Sequence, residues 1–358
     1  MRLFNETYSG RRVLVTGHTG FKGSWLTLWL RELGADVFGA ALSPSTSPSH
    51  WDLLELEIEE SLIDIRDCDA LSAALQAAQP EIVFHLAAQP LVRKSYRDPL
   101  ETWSTNVMGT ANLLETCRKT CSVRAIVIVT TDKVYENNEW TWGYREIDRL
   151  GGHDPYSSSK AAAELVVDSY RKSFFHAPQA PLVASARAGN VIGGGDWSED
   201  RLIPDLVRSI ASGELEIRSP EATRPWQHVL DCLSGYLLLG QALLERKAGV
   251  AESWNFGPDL EGNRSVSEVL NALGGHWPEL QWRVADNPEH HEAGYLYLES
   301  SKARSRLGWR PVWGIDEALA ATAGWYQGYL KDGRVASREQ LADYLAAALA
   351  ADAPWCCR

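Results

Sequence analysis

No apolar run in this 358-residue chain approaches the ~20 residues that a membrane span requires. Met1 to Gly10 lacks the apolar centre of a secretory signal, so the expectation is a soluble, cytoplasmic protein. Basic excess is missing too: 35 lysines and arginines stand against 47 acidic residues, a net charge of -12. That balance disfavours nonspecific binding to nucleic acid or anionic membrane, and any polyanionic ligand must meet a local positive site. The cysteines, Cys68, Cys117, Cys121, Cys232, Cys356 and Cys357, show no repeated metal-type spacing and read as free thiols. Cys117 and Cys121 lie on one expected helix with no matching Cys/His pair, which favours packing over a metal site, and no metal is expected. Cys356-Cys357 is expected to be disordered. Internal repeats and low-complexity linkers are absent as well.

What is present is an ordinary core-forming composition, 45% hydrophobic, with 15 tryptophans whose expected role is packing. Short β-branched or apolar runs at Arg12–Thr16, Asp36–Leu42, Ser61–Ile65, Glu81–Leu86, Ala125–Thr131 and Leu182–Arg187 predict strands. Between them Ser24–Leu33, Asp69–Ala78, Leu100–Thr120 and Pro155–Phe174 predict helices. Strands alternating with helices at this spacing predict an α/β fold, a doubly wound parallel sheet. Right-handed crossovers then bring the strand C-termini to one edge, where such folds bind ligands. After about residue 190 the alternation weakens. Gly193-Gly-Gly195 and several prolines break the chain into a smaller C-terminal lobe with helices expected at Ile203–Ser212, His228–Leu244, Val266–Leu273 and Ile315–Tyr329. Arg187, Arg201, Arg218 and Arg224 form a local cationic supply there, while Ser43–Ser49 reads as a loop.

Three motifs fall on the predicted ligand edge. Gly17, Gly20 and Gly23 sit between the first strand and first helix, where backbone amides and a helix N-terminus can approach a pyrophosphate. Asp64, at the end of the third strand, is either an adenine ligand or a turn residue. The second strand ends in Ala41-Leu42-Ser43-Pro44, without the acid that holds an adenosine ribose and without a nearby cation for a 2′-phosphate; NAD is favoured over NADP, with a loose grip. Finally, Asp154 as N-cap and Pro155 at the first helical position place Tyr156 and Lys160 on one helix face. An ammonium beside a phenol favours phenolate, a suitable base for an alcohol losing hydride.

Taken with Leu86-Ala-Ala-Gln89, Asn106, Thr131 and Ile65, these residues resemble the extended short-chain dehydrogenase/reductase family, whose members act mostly on nucleotide sugars. Longer strings are similar to its CDP-D-glucose 4,6-dehydratase branch. They are Gly17 to Trp25, Asp132-Lys133, Trp142 to Glu146, Arg187 to Trp197, Asp200 to Pro204, Arg224 to His228 and Trp254 to Pro258. The resemblance implies a Rossmann-type NAD domain over 1–189 and a smaller α/β substrate-binding lobe over 190–358, with some exchange of chain between them. It implies NAD contacts from Gly17, Thr19, Gly20, Phe21, Lys22, Gly23, Ser43, Asp64, Ile65, Leu86, Ala87, Ala88, Thr105, Tyr156 and Lys160. For a CDP-glucose substrate it implies Gln89, Arg93, Asn190, Arg201, Leu202, Ile203, Arg224, His291 and Tyr295. Catalysis falls to Thr131, Asp132, Lys133, Tyr156 and Lys160. A homodimer, or a dimer of dimers, is implied through helices near Asn106–Cys117 and Tyr156–Phe174.

Elimination across C5 and C6 of a 4-keto sugar needs a base for the C5 proton and an acid for the departing hydroxyl. Lys133 and Asp132 offer that pair, provided the lysine acts neutral and the aspartate carries a proton; the alternative is a plain ion pair. Two rival readings use the same scaffold: a nucleotide-sugar 4-epimerase or reductase, and a nonenzymatic dinucleotide-binding regulator.

Overall fold

The protein is described by a computed structural model over residues 2–213, 215–285 and 294–357. In chain order the strands are β1 (Arg2–Leu3), β2 (Arg12–Thr16), β3 (Asp36–Ala41), β4 (Glu59–Leu62), β5 (Ile82–His85), β6 (Ala125–Val129), β7 (Leu182–Ala188), β8 (Asn190–Ile192), β9 (Leu215–Ile217), β10 (Thr223–His228), β11 (Ser253–Phe256), β12 (Asn263–Ser265), β13 (Trp282–Val284) and β14 (Cys356–Cys357). The helices are α1 (Phe21–Glu32), α2 (His50–Leu54), α3 (Cys68–Ala78), α4 (Val92–Arg97), α5 (Pro99–Trp103), α6 (Gly109–Lys119), α7 (Pro155–Ser173), α8 (Leu202–Ser212), α9 (Val229–Leu244), α10 (Val266–His276), α11 (Ser301–Leu307), α12 (Ile315–Asp332) and α13 (Ser337–Ala350).

The main sheet runs β11-β7-β6-β5-β2-β3-β4, every pairing parallel. Parallel strands need crossovers, which cover both faces with helices, so both faces of each strand must be apolar. Val13 and Val15 enter one core while Leu14 enters the other; Ile82 and Phe84 oppose Val83, and Val127 and Val129 oppose Ile126 and Ile128. The larger core is closed by α1, α9, α12 and α13 through Trp25, Leu237, Trp325 and Tyr344. The smaller is closed by α3, α6 and α7 through Leu75, Leu113 and Val167. Each such Leu or Val contributes about 1.5–3 kcal/mol relative to exposure. The chain winds outward through β3 and β4 on one side and through β6 and β7 on the other. Strand order therefore reverses between β2 and β5, which opens a crevice at their C-terminal ends.

Beyond β7, strands β12, β10 and β8 form a three-stranded sheet and β13 pairs with β9, with α8 and α10 beside them. Between β10 and β12 the chain returns to the main sheet: α9 packs on β6 and β7, and β11 becomes the edge strand next to β7.

Two expectations are corrected. Cys356 and Cys357 are ordered as β14, antiparallel to β1, because Trp355 stacks on Phe4 and the Phe4 amide donates to the Trp355 carbonyl. The single helix expected over Leu100–Thr120 is interrupted by a π turn at Ser104–Met108, between α5 and α6. The turn points buried Asn106 at Gln89 and α7: its side chain donates to the Gln89 carbonyl and to Ser159 Oγ, and accepts the Gln89 amide. All six cysteines are free thiols, and no described helix is long and apolar enough to cross a membrane.

Candidate active site

The crevice is a cavity of about 1550 Å³ between the main sheet and the smaller lobe. It exceeds the ~300–1,000 Å³ of a site for one small ligand.

At its floor lies the turn from β2 into α1. Gly17 has φ +74°, and a Cβ there would meet the Ala87 amide nitrogen at 2.6 Å. A Cβ at Gly23 would lie 2.0 Å from the Gly17 carbonyl oxygen, so the turn closes only with glycine at both places. Gly20 is different: it is the N-cap of α1, with no side chain over the first amides. A helix N-terminus left open this way fits a pyrophosphate. Thr19, Phe21, Lys22, Ile65, Leu86, Ala87, Ala88 and Thr105 line the same end of the cavity, and Thr19 Oγ1 donates to the Leu42 carbonyl at 2.8 Å.

Asp64 also lines the cavity, but its carboxylate is already engaged by the Arg66 guanidinium, with Nε at 2.9 and 3.0 Å, and that pairing holds it below the usual carboxylate range. Asp64 thus sits at the cavity already paired, and Arg66 is a cavity cation that the sequence reading passed over. The loop after Ser43 is more than a connection: Ser45, Thr46 and Ser47 join Ser43 in a hydroxyl-rich wall where the ribose acid is lacking. The signal was the density of hydroxyls beside the missing carboxylate.

The catalytic candidates converge above β6. Asp154 accepts the Ser157 amide at 2.9 Å, Pro155 occupies the first turn, and Tyr156 and Lys160 are both buried on α7. Lys160 Nζ donates to the Val129 carbonyl at 3.2 Å. Burial pushes the Tyr156 phenol up to about 12, against the lowering effect of its hydrogen bond with Thr131. Burial, and then the Lys22 charge, bring the Lys160 ammonium down to about 8. Desolvation, the largest influence on the phenol, thus opposes the phenolate that a neighbouring ammonium favours.

Thr131 Oγ1 donates to Asp132 Oδ1 at 2.9 Å, and the Lys133 amide returns to Thr131 Oγ1 at 3.3 Å, closing a 3₁₀ turn over Asp132–Val134. Asp132 is fully buried, and its Oδ2 has no hydrogen-bond partner, which few buried oxygens tolerate. Lys133 Nζ lies 3.6 Å from Asp132 Oδ1, so the two are paired at rest. Thr131 and Lys133 line the cavity with Tyr156 and Lys160, whereas Asp132, between them in sequence, is buried and is not among the lining residues.

Across the crevice, Asn190, Leu202, Ile203, Arg201 and Arg224 line the wall of the smaller lobe. Arg201 is paired with Asp196 at 2.8 Å and Arg93 with Asp200 at 2.8 Å. The Gln89 side chain is consumed locally, accepting the Leu91 amide and donating to Thr102 Oγ1. Tyr295 does not line the cavity; its hydroxyl meets Asn263 Nδ2 at 3.2 Å. His291 lies outside the described residues. Arg187, read as part of the cationic supply, is instead buried against Glu164 and does not reach the cavity.

A family model described as GDP-mannose 4,6 dehydratase matches residues 14–322. A CDP-glucose 4,6-dehydratase of Salmonella typhimurium is 47% identical over 95% of this chain and 98% of its own length. A dTDP-glucose 4,6-dehydratase of Streptomyces griseus is 30% identical, over 88% and 93% respectively. Among solved structures, a Streptomyces venezuelae dTDP-glucose 4,6-dehydratase with NAD bound aligns at TM-score 0.75 and 26% identity, covering 88% of this chain and 97% of that one. An epimerase of Methanothermobacter thermautotrophicus, at TM-score 0.81 and 24% identity over 94% and 97%, shares the fold. The family model and these relatives match the chain over most of its length, and the chain belongs to the GDP-mannose 4,6 dehydratase family of extended short-chain dehydrogenases/reductases.

Proposed function

We propose that this chain is a lyase that converts CDP-D-glucose to CDP-4-keto-6-deoxy-D-glucose and water, with NAD recycled in each turnover. The nearly full-length likeness to a CDP-glucose 4,6-dehydratase supports the substrate. The observation that carries the reaction type is the placement of Asp132 and Lys133 on the turn beside Tyr156, Thr131 and Lys160.

Gly17, Gly20, Gly23, Tyr156 and Lys160 would hold NAD between the glycine turn and α7, where it would supply a hydride acceptor for C4 and a hydride donor for C6. Tyr156 removes the 4-hydroxyl proton while Thr131 orients that oxygen. Lys160 supplies the positive charge that a buried phenolate needs. The 4-ketone acidifies the C5 proton, which passes to neutral Lys133. Asp132 gives its proton to the 6-hydroxyl, which leaves as water, and Lys133 returns the proton to C5 when C6 is reduced. Arg201 and Arg224 suit the diphosphate, with Leu202 and Ile203 near the base.

Replacing Lys133 by Met tests the assignment. C4 oxidation should persist while water loss falls by at least ~10²-fold, the scale of general base catalysis. Dehydration at the parent rate would remove Lys133 from the role. A 4-epimerase needs no such acid/base pair beside the oxidation site, so Asp132-Lys133 disfavours it.

A further inference from the structure

A buried charge is tolerated only when paired and fully hydrogen-bonded. Glu164 and Arg187, each 2% exposed, meet this condition beneath the site. Arg187 Nε and Nη2 donate to the two Glu164 oxygens, both at 2.9 Å. The hydroxyls of Thr130 and Ser185 donate to the same carboxylate at 2.6 Å each, and Ser253 at 3.2 Å. Burial raises the Glu164 carboxyl, but the Arg187 charge and these donors more than offset it, so the group is held well below the usual carboxylate range.

Each member of the pair grips one end of the Asp132–Val134 turn. Thr130, immediately before Thr131, is bound to Glu164. Tyr135, immediately after the turn, receives Arg187 Nη1 on its hydroxyl at 2.8 Å. The Tyr135 hydroxyl then donates to Asn255 Oδ1 at 2.7 Å, and Asn255 Nδ2 donates to the Tyr144 carbonyl. Glu164 stands one helical turn beyond Lys160 and two beyond Tyr156, on the same face of α7.

We propose that the Glu164–Arg187 pair is a positioning device that holds the Asp132–Lys133 turn against Tyr156, and so governs elimination separately from C4 oxidation. This rests on the reading of Asp132 and Lys133 as acid and base. Tyr156 and Lys160 need no such help, because α7 fixes their spacing and Asp154 caps it. The elimination turn is a three-residue 3₁₀ segment, with Thr131 as its N-cap and Thr130 and Tyr135 flanking it. A shift of about 1 Å in such a group costs up to ~10²-fold in rate.

The test uses Thr130→Val and Tyr135→Phe, each removing one hydroxyl while leaving the ion pair, with Lys133→Met as control. Single-turnover reactions with NAD and CDP-glucose follow NADH formation and loss of water in parallel. Both hydroxyl variants should slow water loss by ~10-fold or more while C4 oxidation stays within ~2-fold, so that NADH accumulates on the enzyme. Glu164→Gln should exceed them, and the hydroxyl variants decide the matter whether or not it folds. If the two steps fall together, with their ratio unchanged, the pair only supports the fold and the proposal is overturned. If Lys133→Met itself loses water at the parent rate, the acid/base reading fails, and the positioning role with it. Stalling in Lys133→Met with an unchanged ratio in Thr130→Val and Tyr135→Phe overturns the positioning role alone.

Discussion

Lys160 sits where small electrostatic changes alter its charge, since burial and then Lys22 bring it down to about 8. Its protonated form is the one that supports a phenolate, so activity should fall as pH rises through about 8. Lys22→Met removes a neighbouring positive charge, and the alkaline limb of kcat/KM should move to higher pH; an unmoved limb would detach that limb from Lys160. Ser43 offers a second residue-scale prediction. Ser43→Asp restores a carboxylate at the ribose end and should tighten NAD by roughly 10-fold, as a charged hydrogen bond does, measured by calorimetric titration. At this scale the sequence was most legible where chemistry is local. Asp154, Pro155, Tyr156 and Lys160 act within one helix start, and their spacing states their geometry. Arg187 was misread because Glu164 stands 23 residues away, and only the packing of α7 on β7 brings them together. Asp64 was read without Arg66, although the partner is two positions on.

Helices carry the site by their ends and their interruptions. Asp154→Ala removes the cap of α7 and should cost about 1 kcal/mol of stability by urea denaturation, with a larger loss in kcat than in substrate affinity. The π turn at Ser104–Met108 was not legible, since an apolar pattern continuous from Leu100 to Thr120 gives no sign that Asn106 must turn inward to meet Gln89 and Ser159. A further element-scale feature is the clasp on α9. Burial raises the Asp231 carboxyl to about 7, although the Val312 amide, the Tyr344 hydroxyl and the Trp313 amide lower it. A carboxyl raised in the folded state holds its proton there while the unfolded chain has released it. Stability should therefore decline as pH rises from about 4 to about 7 and level off above, by an amount on the order of 4 kcal/mol. Urea midpoints across that window should show the slope, and Asp231→Asn should flatten it. An equal slope in both proteins would assign it to other groups.

For the whole molecule, strand and helix alternation made the parallel sheet readable from the first half of the chain, because each β-α step is a local pattern. The last segments were not: α13 is alanine-rich and only weakly amphipathic, and the partner of β14 is β1, at the other end of the chain. Leu100 on α5, Leu165 on α7 and Met108 in the π turn are exposed apolar side chains, at 80%, 61% and 56%, that suit the homodimer the family resemblance implies. Leu100→Glu with Leu165→Glu should convert a dimer to a monomer in sedimentation, whereas an unchanged mass would place the interface elsewhere. The central claim is tested most directly by supplying NAD with CDP-glucose, dTDP-glucose, GDP-mannose or UDP-glucose separately and weighing the products. Loss of one water from CDP-glucose alone, with no net NADH, is the predicted result. Epimer formation without a mass change, or no reaction with any of the four, would contradict it.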